Sequence, residues 1–424
     1  VGGRRRDVDA AVASGRPVAR LKPELPRQLT LDMGHPWVYS DEVANITELT
    51  KSAAGTVVDV LGPDERPLGV GVLNRQASIV VRLLPGLECG AEIKPELLRE
   101  RLRAAFARRG GAEQCRAVNG EQDGIPGVAV DRFGSAVVAI FESVGSSRLQ
   151  LLVQEELTRW IGKLSTLVVH RMVAKKEKWA QEGSEFATEI IKGSGPRIVV
   201  LESPCEFELD VNHGVAGHWS FALEEHKREL AALLSPTEGT VLDAWSHLGQ
   251  WGIRCARAGA QEVVLLEESL GFAKLSRDNV ERNGVEERCT VLHRGSVLDE
   301  LRSMATSGIR FSCVSLNVRV RFERYFKQRE GQFGRWFKPT LKGYAIAVAL
   351  GAQVTSRGGY LMVTFFLPLS CEHWAMSLVK DGLEQASREG TIVSHTVCIS
   401  DQIALASSAM EDVWTHVIVC VRFH

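Results

Sequence analysis

Nine cysteines in 424 residues stand singly, at 89, 115, 205, 255, 289, 313, 371, 398 and 420, with no CxxC pair and no Cys–His grouping at metal spacing. This excludes a disulfide scaffold and a structural zinc site, and it suits a reducing compartment. Charge of either sign is not in excess: 51 basic against 52 acidic residues leave a net charge of −1 and a pI near 6.9. No global field therefore draws the chain to nucleic acid or to an anionic membrane, and any such contact has to come from a local patch. No apolar run approaches the roughly 20 residues a membrane helix needs, and Val1-Gly-Gly-Arg-Arg-Arg lacks the apolar stretch of a signal peptide. The expectation is a cytoplasmic protein without a membrane partner. Internal repeats and low-complexity segments are also missing.

What is present is an ordinary globular composition, 45% hydrophobic and 24% charged, on a chain long enough for two or three domains. Residues 1–20 read as a basic tail. From 21 to 95, short runs such as Gly55-Thr-Val-Val-Asp-Val-Leu, Leu68-Gly-Val-Gly-Val-Leu and Ala77-Ser-Ile-Val-Val-Arg-Leu-Leu alternate with Gly, Pro and Asn turns, the pattern of a small β-barrel. From 96 to 200, helical spacing at Pro95–Arg109 and about 147–163 alternates with strands at Val128–Asp131, Ala136–Phe141 and Leu167–His170, which predicts an α/β middle domain. Gly193-Ser-Gly-Pro punctuates the next boundary.

From 201 to 424, helix and strand alternate, with strands at 241–245, 262–267, Cys289–His293 and Phe311–Leu316 and helices at His226–Leu234, 251–258, Leu270–Asn283, 340–355 and His373–Glu389. Alternation of this kind predicts an α/β fold with a doubly wound parallel sheet. The last two strands, Thr391–Ile399 and Val413–Arg422, are joined by too few residues for a helical crossover and are expected to be antiparallel neighbours.

Within that domain, the apolar strand ending at Asp243 runs into a turn containing Gly249 and Gly252, and a second apolar strand ends 24 residues later at Glu267. A glycine loop followed by an acid at about this separation is the arrangement in which a βαβ unit holds a nucleotide, the carboxylate accepting both ribose hydroxyls. A nicotinamide-dependent Rossmann enzyme would also explain the loop, but not residues 21–140.

Three segments bear a family resemblance. Gly34-His-Pro-Trp-Val-Tyr-Ser-Asp-Glu-Val, Arg116-Ala-Val-Asn-Gly-Glu-Gln-Asp-Gly-Ile-Pro-Gly-Val-Ala-Val-Asp-Arg-Phe-Gly and the 241–284 unit occur in an order that resembles the large-subunit rRNA cytosine-5 methyltransferases, over roughly residues 21–424. The resemblance implies an RNA-binding PUA domain at 21–95, a middle α/β domain at 96–200 and a Rossmann-like class I methyltransferase domain at 201–424. It also implies S-adenosylmethionine (SAM) as cofactor and rRNA or another structured RNA as partner. Asp243 and Gly249 would cradle the methionine end, Glu267 the ribose and Ser296 the adenine, with Asn317 at the methyl-transfer point and His35 and Trp37 as RNA contacts. The oligomeric state stays open, a homodimer being one option.

The departures from that family weaken its chemistry. Gly214-Val-Ala-Gly-His-Trp-Ser-Phe-Ala-Leu-Glu replaces a segment of polar cofactor contacts, and Ser296 stands where an acid is usual. Asn317-Val-Arg replaces Asp-Pro-Pro, and Thr364-Phe-Phe-Leu replaces Thr-Cys-Ser-Cys. Methylation at C5 of a pyrimidine needs a thiolate to add at C6, which Phe cannot supply. Cys371 is the nearest alternative thiol. The expectation is weakened SAM binding and impaired or lost cytosine-5 activity; the alternative is a pseudoenzyme serving as an RNA-binding or ribosome-assembly factor. Between 319 and 342, eight basic residues, among them Arg319, Arg321, Arg324 and Lys327, are interleaved with six aromatics against two acids. This pattern suits phosphate contact and base stacking.

Overall fold

The structure, a computed structural model, describes residues 14–23, 35–49, 51–74, 79–174, 184–193, 197–211, 219–234, 239–318, 341–368, 372–399 and 414–424. Two compact units divide near Pro196 and Arg197, within a few residues of the boundary marked by Gly193-Ser-Gly-Pro.

The first unit holds two five-stranded sheets. One is built from β1 (Val18–Arg20), β2 (Trp37–Tyr39), β3 (Val57–Leu61), β4 (Pro67–Leu73) and β5 (Ile79–Leu83) in the order β1-β3-β4-β5-β2. β1 corrects the expectation of a tail through residue 20. It pairs parallel to β3 with Ala19 fully buried, and Ser14 Oγ donates to Asp59 Oδ2 at 2.8 Å. A three-residue strand held by a partner some forty positions away leaves no local periodicity to read. The other sheet joins β6 (Gln114–Asn119), β7 (Val128–Phe133), β8 (Ala136–Phe141), β9 (Thr166–Ala174) and β10 (Ser184–Lys192), with helices Pro95–Arg108 and Gln150–Ile161. Leu102, Ala105, Phe106, Val153 and Leu157 recur at helical spacing and bury against Val130, Val137 and Ala139.

The expected boundary at 95/96 falls inside this unit. Trp37 Nε1 donates to Glu121 Oε1 at 2.7 Å, and Arg82 Nη1 donates to the same oxygen at 2.6 Å. Arg148 reaches the carbonyls of Gly55 and Ala54. These bonds tie the two sheets together.

The second unit centres on a seven-stranded sheet of order β15-β14-β13-β16-β17-β19-β18, made of β13 (Thr240–Ala244), β14 (Glu262–Glu267), β15 (Cys289–His293), β16 (Phe311–Val318), β17 (Thr355–Pro368), β18 (Gly390–Ile399) and β19 (Trp414–Phe423). β13 to β17 are parallel, and β19 runs antiparallel to both β17 and β18. The doubly wound sheet with an antiparallel end is therefore as the sequence predicts. Its core packs Leu242, Leu316, Val363 and Val419 against Val348 and Leu378 of the helices Leu341–Val354 and Glu372–Ala386. The chain leaves β13 toward β14 on one side and returns to β16 on the other, so the order reverses between β13 and β16. In doubly wound sheets, ligands bind at the carboxyl ends of the strands beside such a reversal.

A helix at Val297–Thr306 lies between the expected strands Cys289–His293 and Phe311–Leu316, where the sequence reading places no element. Val297, Leu301 and Met304 form its buried stripe, and Ser296 caps it, the hydroxyl accepting from Asp299 N at 3.2 Å. A two-stranded hairpin, β11 (Arg197–Glu202) and β12 (Cys205–Asp210), also belongs to this unit. No helix among the described residues is long and apolar enough to cross a membrane.

Candidate cofactor site

Asp243 is the penultimate residue of β13 and Glu267 the last of the adjacent β14, and the loop between β13 and the helix Gln250–Arg257 contacts Glu267 through the His247 amide. Gly249 opens that helix at φ +78°, where a Cβ would come within 2.8 Å of Ile253 Cδ1 and 2.9 Å of Ser276 Oγ. Gly252 is required for a different reason: a Cβ there would lie 2.2 Å from Leu265 Cδ2 and 2.9 Å from Val263 Cγ1, so its absence lets the helix lie on β14. Trp245 and His247 also adopt positive φ, 55° and 52°. For bulky residues this is stored strain, which concentrates at ligand clamps.

The loop's polar groups converge on the two acids. Glu267, almost fully buried, accepts from the backbone amides of His247 through Oε2 and of Ser269 through Oε1, each at 2.8 Å. Burial raises its pKa, opposed by those amides. A carboxylate has about four acceptor positions, so each oxygen keeps one for a ligand hydroxyl. The His247 ring packs edge-on to Phe272.

Asp243 differs from its expected part. It is fully buried, and both oxygens are engaged: Oδ2 accepts from Gly252 N at 3.0 Å, and Oδ1 accepts from Asn317 Nδ2 at 2.8 Å. Burial pushes its pKa up to about 7, with the charge of Glu267 adding to the rise and the Gly252 amide and Asn317 opposing it. Asp243 thus braces the first turn of the helix Gln250–Arg257 and the Asn317 amide.

Asn317 and Thr364 sit opposite each other on β16 and β17. Asn317 Oδ1, Thr364 Oγ1 and Ser246 Oγ are buried polar atoms with no hydrogen-bond partner among the described residues. Buried polar atoms cost free energy unless something satisfies them, so the carboxyl edge of β13, β16 and β17 presents hydrogen-bonding capacity to a ligand. Ser296 follows β15 at the same edge, but helix capping takes one of its two lone pairs. Asp243, Glu267, Ser296 and Asn317 are thus gathered at one edge, around the loop of Gly249.

Trp37 and His35 lie inside the first unit and not at the surface expected of RNA contacts. His35 is fully buried and Trp37 is 9% exposed, packed edge-to-face with each other, with Arg82 over the Trp37 ring. They form part of the join between the two sheets, which leaves little of either ring to meet RNA. The same join accounts for the Asn119-Gly-Glu-Gln-Asp-Gly signature. Glu121 receives Trp37 and Arg82, and Asp123 receives Arg108, Arg109 and the Asn119 amide. Burial alone would raise Asp123, but those guanidiniums and that amide hold it below the usual carboxylate range.

Arg319, Arg321, Arg324, Lys327 and Cys371 lie outside the described residues, as do residues 214–218 of the 214–224 segment. Cys313 is fully buried in β16 with its thiol raised well above the ordinary value by burial, and Cys289 and Cys420 are raised to about 12 and about 11 for the same reason. At the end of β17, Phe365 is fully buried.

A PUA-like domain model matches residues 27–85. Proteins named ribosomal RNA large subunit methyltransferase I are similar over nearly the whole chain: that of Shewanella denitrificans is 25% identical, covering 90% of this chain and 94% of its own length. That of Shigella flexneri is 22% identical over the same shares. Among solved structures, a candidate SAM-dependent methyltransferase from Streptococcus mutans superposes with a TM-score of 0.73 at 13% identity, covering 96% of this chain and all of its own. A candidate methyltransferase, SMU.776, solved with S-adenosylhomocysteine (SAH), reaches 0.71 at 13% identity, covering 95% of this chain and all of its own. The chain therefore carries a PUA-like domain and a Rossmann-like, class I methyltransferase fold, with relatives named as rRNA methyltransferases along its length.

Proposed function

We propose that this chain is an RNA-binding protein of the rRNA methyltransferase type that takes SAM at the carboxyl edge of β13, β14 and β16 and does not methylate cytosine at C5. The observation that carries the first part is the convergence of Glu267, the strained glycine loop and Asn317 beside the reversal of strand order. The residues fit the cofactor. Glu267 keeps acceptor capacity for two ribose hydroxyls, and the unpartnered Asn317 Oδ1 and Thr364 Oγ1 can accept from an ammonium group. When bound, SAM would supply an electrophilic methyl group. Backbone of the 245–249 loop would hold its methionine end, and Ser296 would offer one acceptor lone pair to the adenine amine.

Loss of C5 chemistry rests on Thr364-Phe-Phe-Leu, which puts an aromatic side chain where a thiolate must add to the pyrimidine ring. Asn317 also removes a carboxylate from the methyl-transfer point. The PUA-like domain and the basic, aromatic 319–342 segment support rRNA or another structured RNA as partner. The same losses favour a second reading, a pseudoenzyme that serves ribosome assembly by binding RNA.

Calorimetric titration with SAM, followed by transfer of labelled methyl groups to undermethylated rRNA, separates these readings. Binding without label at cytosine C5 is the expected result. Label at C5 would overturn the loss of that chemistry, and no heat at millimolar SAM would leave the pseudoenzyme reading alone standing. For RNA, charge reversal at Arg321 and Arg324 should weaken association and flatten its salt dependence. An unchanged slope would remove the 319–342 segment from the interface.

A further inference from the structure

A buried carboxylate and an amide at a ligand site can exchange the direction of their hydrogen bond when the acid gains a proton. Asp243 and Asn317 form such a pair. Asp243 Oδ1 lies 2.8 Å from Asn317 Nδ2 and, with Gly252 N on Oδ2, the acid has no exposure to solvent. The far atom of the same amide, Asn317 Oδ1, is buried and has no partner among the described residues, and its neighbour in register, Thr364, has an unpartnered Oγ1. The amide is therefore fixed on one side by the acid and available on the other.

We propose that Asp243 is a positioning residue that determines which end of the Asn317 amide meets the ligand. Charged, Asp243 accepts from Nδ2 and leaves the carbonyl Oδ1 for the ligand. Protonated, it donates its own hydrogen to Oδ1, the amide turns over, and Nδ2 is left for the ligand. The first state suits an ammonium or amino donor, and the second opposes it, donor facing donor. The idea rests on the cofactor reading above only for the identity of the ligand.

The titration falls at an accessible pH, because burial places Asp243 near 7. The other titratable groups facing it do not compete there in the same way. The thiols of Cys255, Cys289 and Cys313 are all raised by burial and stay neutral; Glu267 on β14 is raised by burial as well, but it accepts from the His247 and Ser269 amides and not from Asn317, so its titration does not turn that amide. Asp243→Asn freezes the second state: its carbonyl can accept from Gly252 N while its amide donates to Asn317 Oδ1, at any pH.

The test is calorimetry with SAH between pH 6 and 8, on the wild type, Asp243→Asn and Asn317→Ala, each checked for an intact thermal transition. Wild-type affinity should fall about tenfold from pH 8 to pH 6, the equivalent of one hydrogen bond exchanged for a repulsive contact. Asp243→Asn should bind with the weak limit at every pH, and Asn317→Ala should lose the slope. A wild-type slope retained in Asp243→Asn would place the titrating group elsewhere, and one retained in Asn317→Ala would mean that the charge acts on SAH directly; either overturns the proposal. A second readout needs no ligand. In protein labelled with 15N-asparagine, the side-chain amide signal missing from Asn317→Ala should move with a midpoint near pH 7 and stay still in Asp243→Asn. Absence of SAH binding would remove the cofactor reading, and a pH-invariant Asn317 amide would remove this one.

Discussion

Two residues show how much a single position carries here. Gly252 has an ordinary backbone conformation, so its requirement is purely one of space: a methyl group would press on Leu265 and on the stiff, β-branched Val263. Gly252→Ala should cost about 2 kcal/mol, the usual scale of overpacking in a close-packed interior, read as a lower denaturation midpoint at unchanged slope. No change would mean that β14 gives way at little cost. Glu121 matters through charge as well as shape, since one oxygen accepts from both Trp37 and Arg82 in a buried setting. Glu121→Gln keeps an acceptor but withdraws the counter-charge from Arg82, and should destabilise the first unit by about 3 kcal/mol. A melting temperature equal to wild type would sink that account. Neither role could be read from the sequence: the Gly-Glu-Gln-Asp-Gly run was visible as a signature, but its partners lie 39 and 84 positions away.

At the scale of elements, the hairpin of β11 and β12 illustrates a helix acting as a third strand. Asn279 Oδ1 accepts from Glu208 N and its Nδ2 donates to Glu208 O, while Asn283 does the same for Glu206. Four helical residues rise about 6 Å, nearly the spacing of alternate residues in a strand, so two asparagines one turn apart satisfy an open edge. Asn279→Ala and Asn283→Ala should each cost about 1–3 kcal/mol and should speed hydrogen exchange at the Glu208 and Glu206 amides respectively. Unchanged exchange at both amides would show that water replaces the asparagines without loss. Element boundaries were largely legible: Glu262–Glu267, Cys289–His293 and Ala136–Phe141 are where periodicity puts them. The helix Val297–Thr306 was legible too, since Ser296 and Asp299 have capping-box spacing ahead of an i, i+4, i+7 apolar stripe.

For the whole molecule, Asp243 makes stability depend on pH. Its pKa in the fold, about 7, lies above the ordinary carboxylate range, so folding takes up a proton between those values. The stability it contributes is complete below about pH 4 and is lost as pH rises to about 7, by an upper bound of roughly 4 kcal/mol. Asp243→Asn should therefore be more stable than wild type above pH 7 and close to it at pH 4, as measured by denaturant unfolding at both. Equal stability at high pH would mean that the acid is not desolvated. The sequence by itself determined the alternation of helix and strand and the antiparallel end of the sheet, because these follow from periodicity and turn chemistry within short windows. Tertiary structure alone decided that His35 and Trp37 are buried. It also decided that Asp243 faces inward to Asn317. Each outcome depends on which distant group occupies the space beside a side chain, and that is set by packing across strands 20 to 84 residues apart.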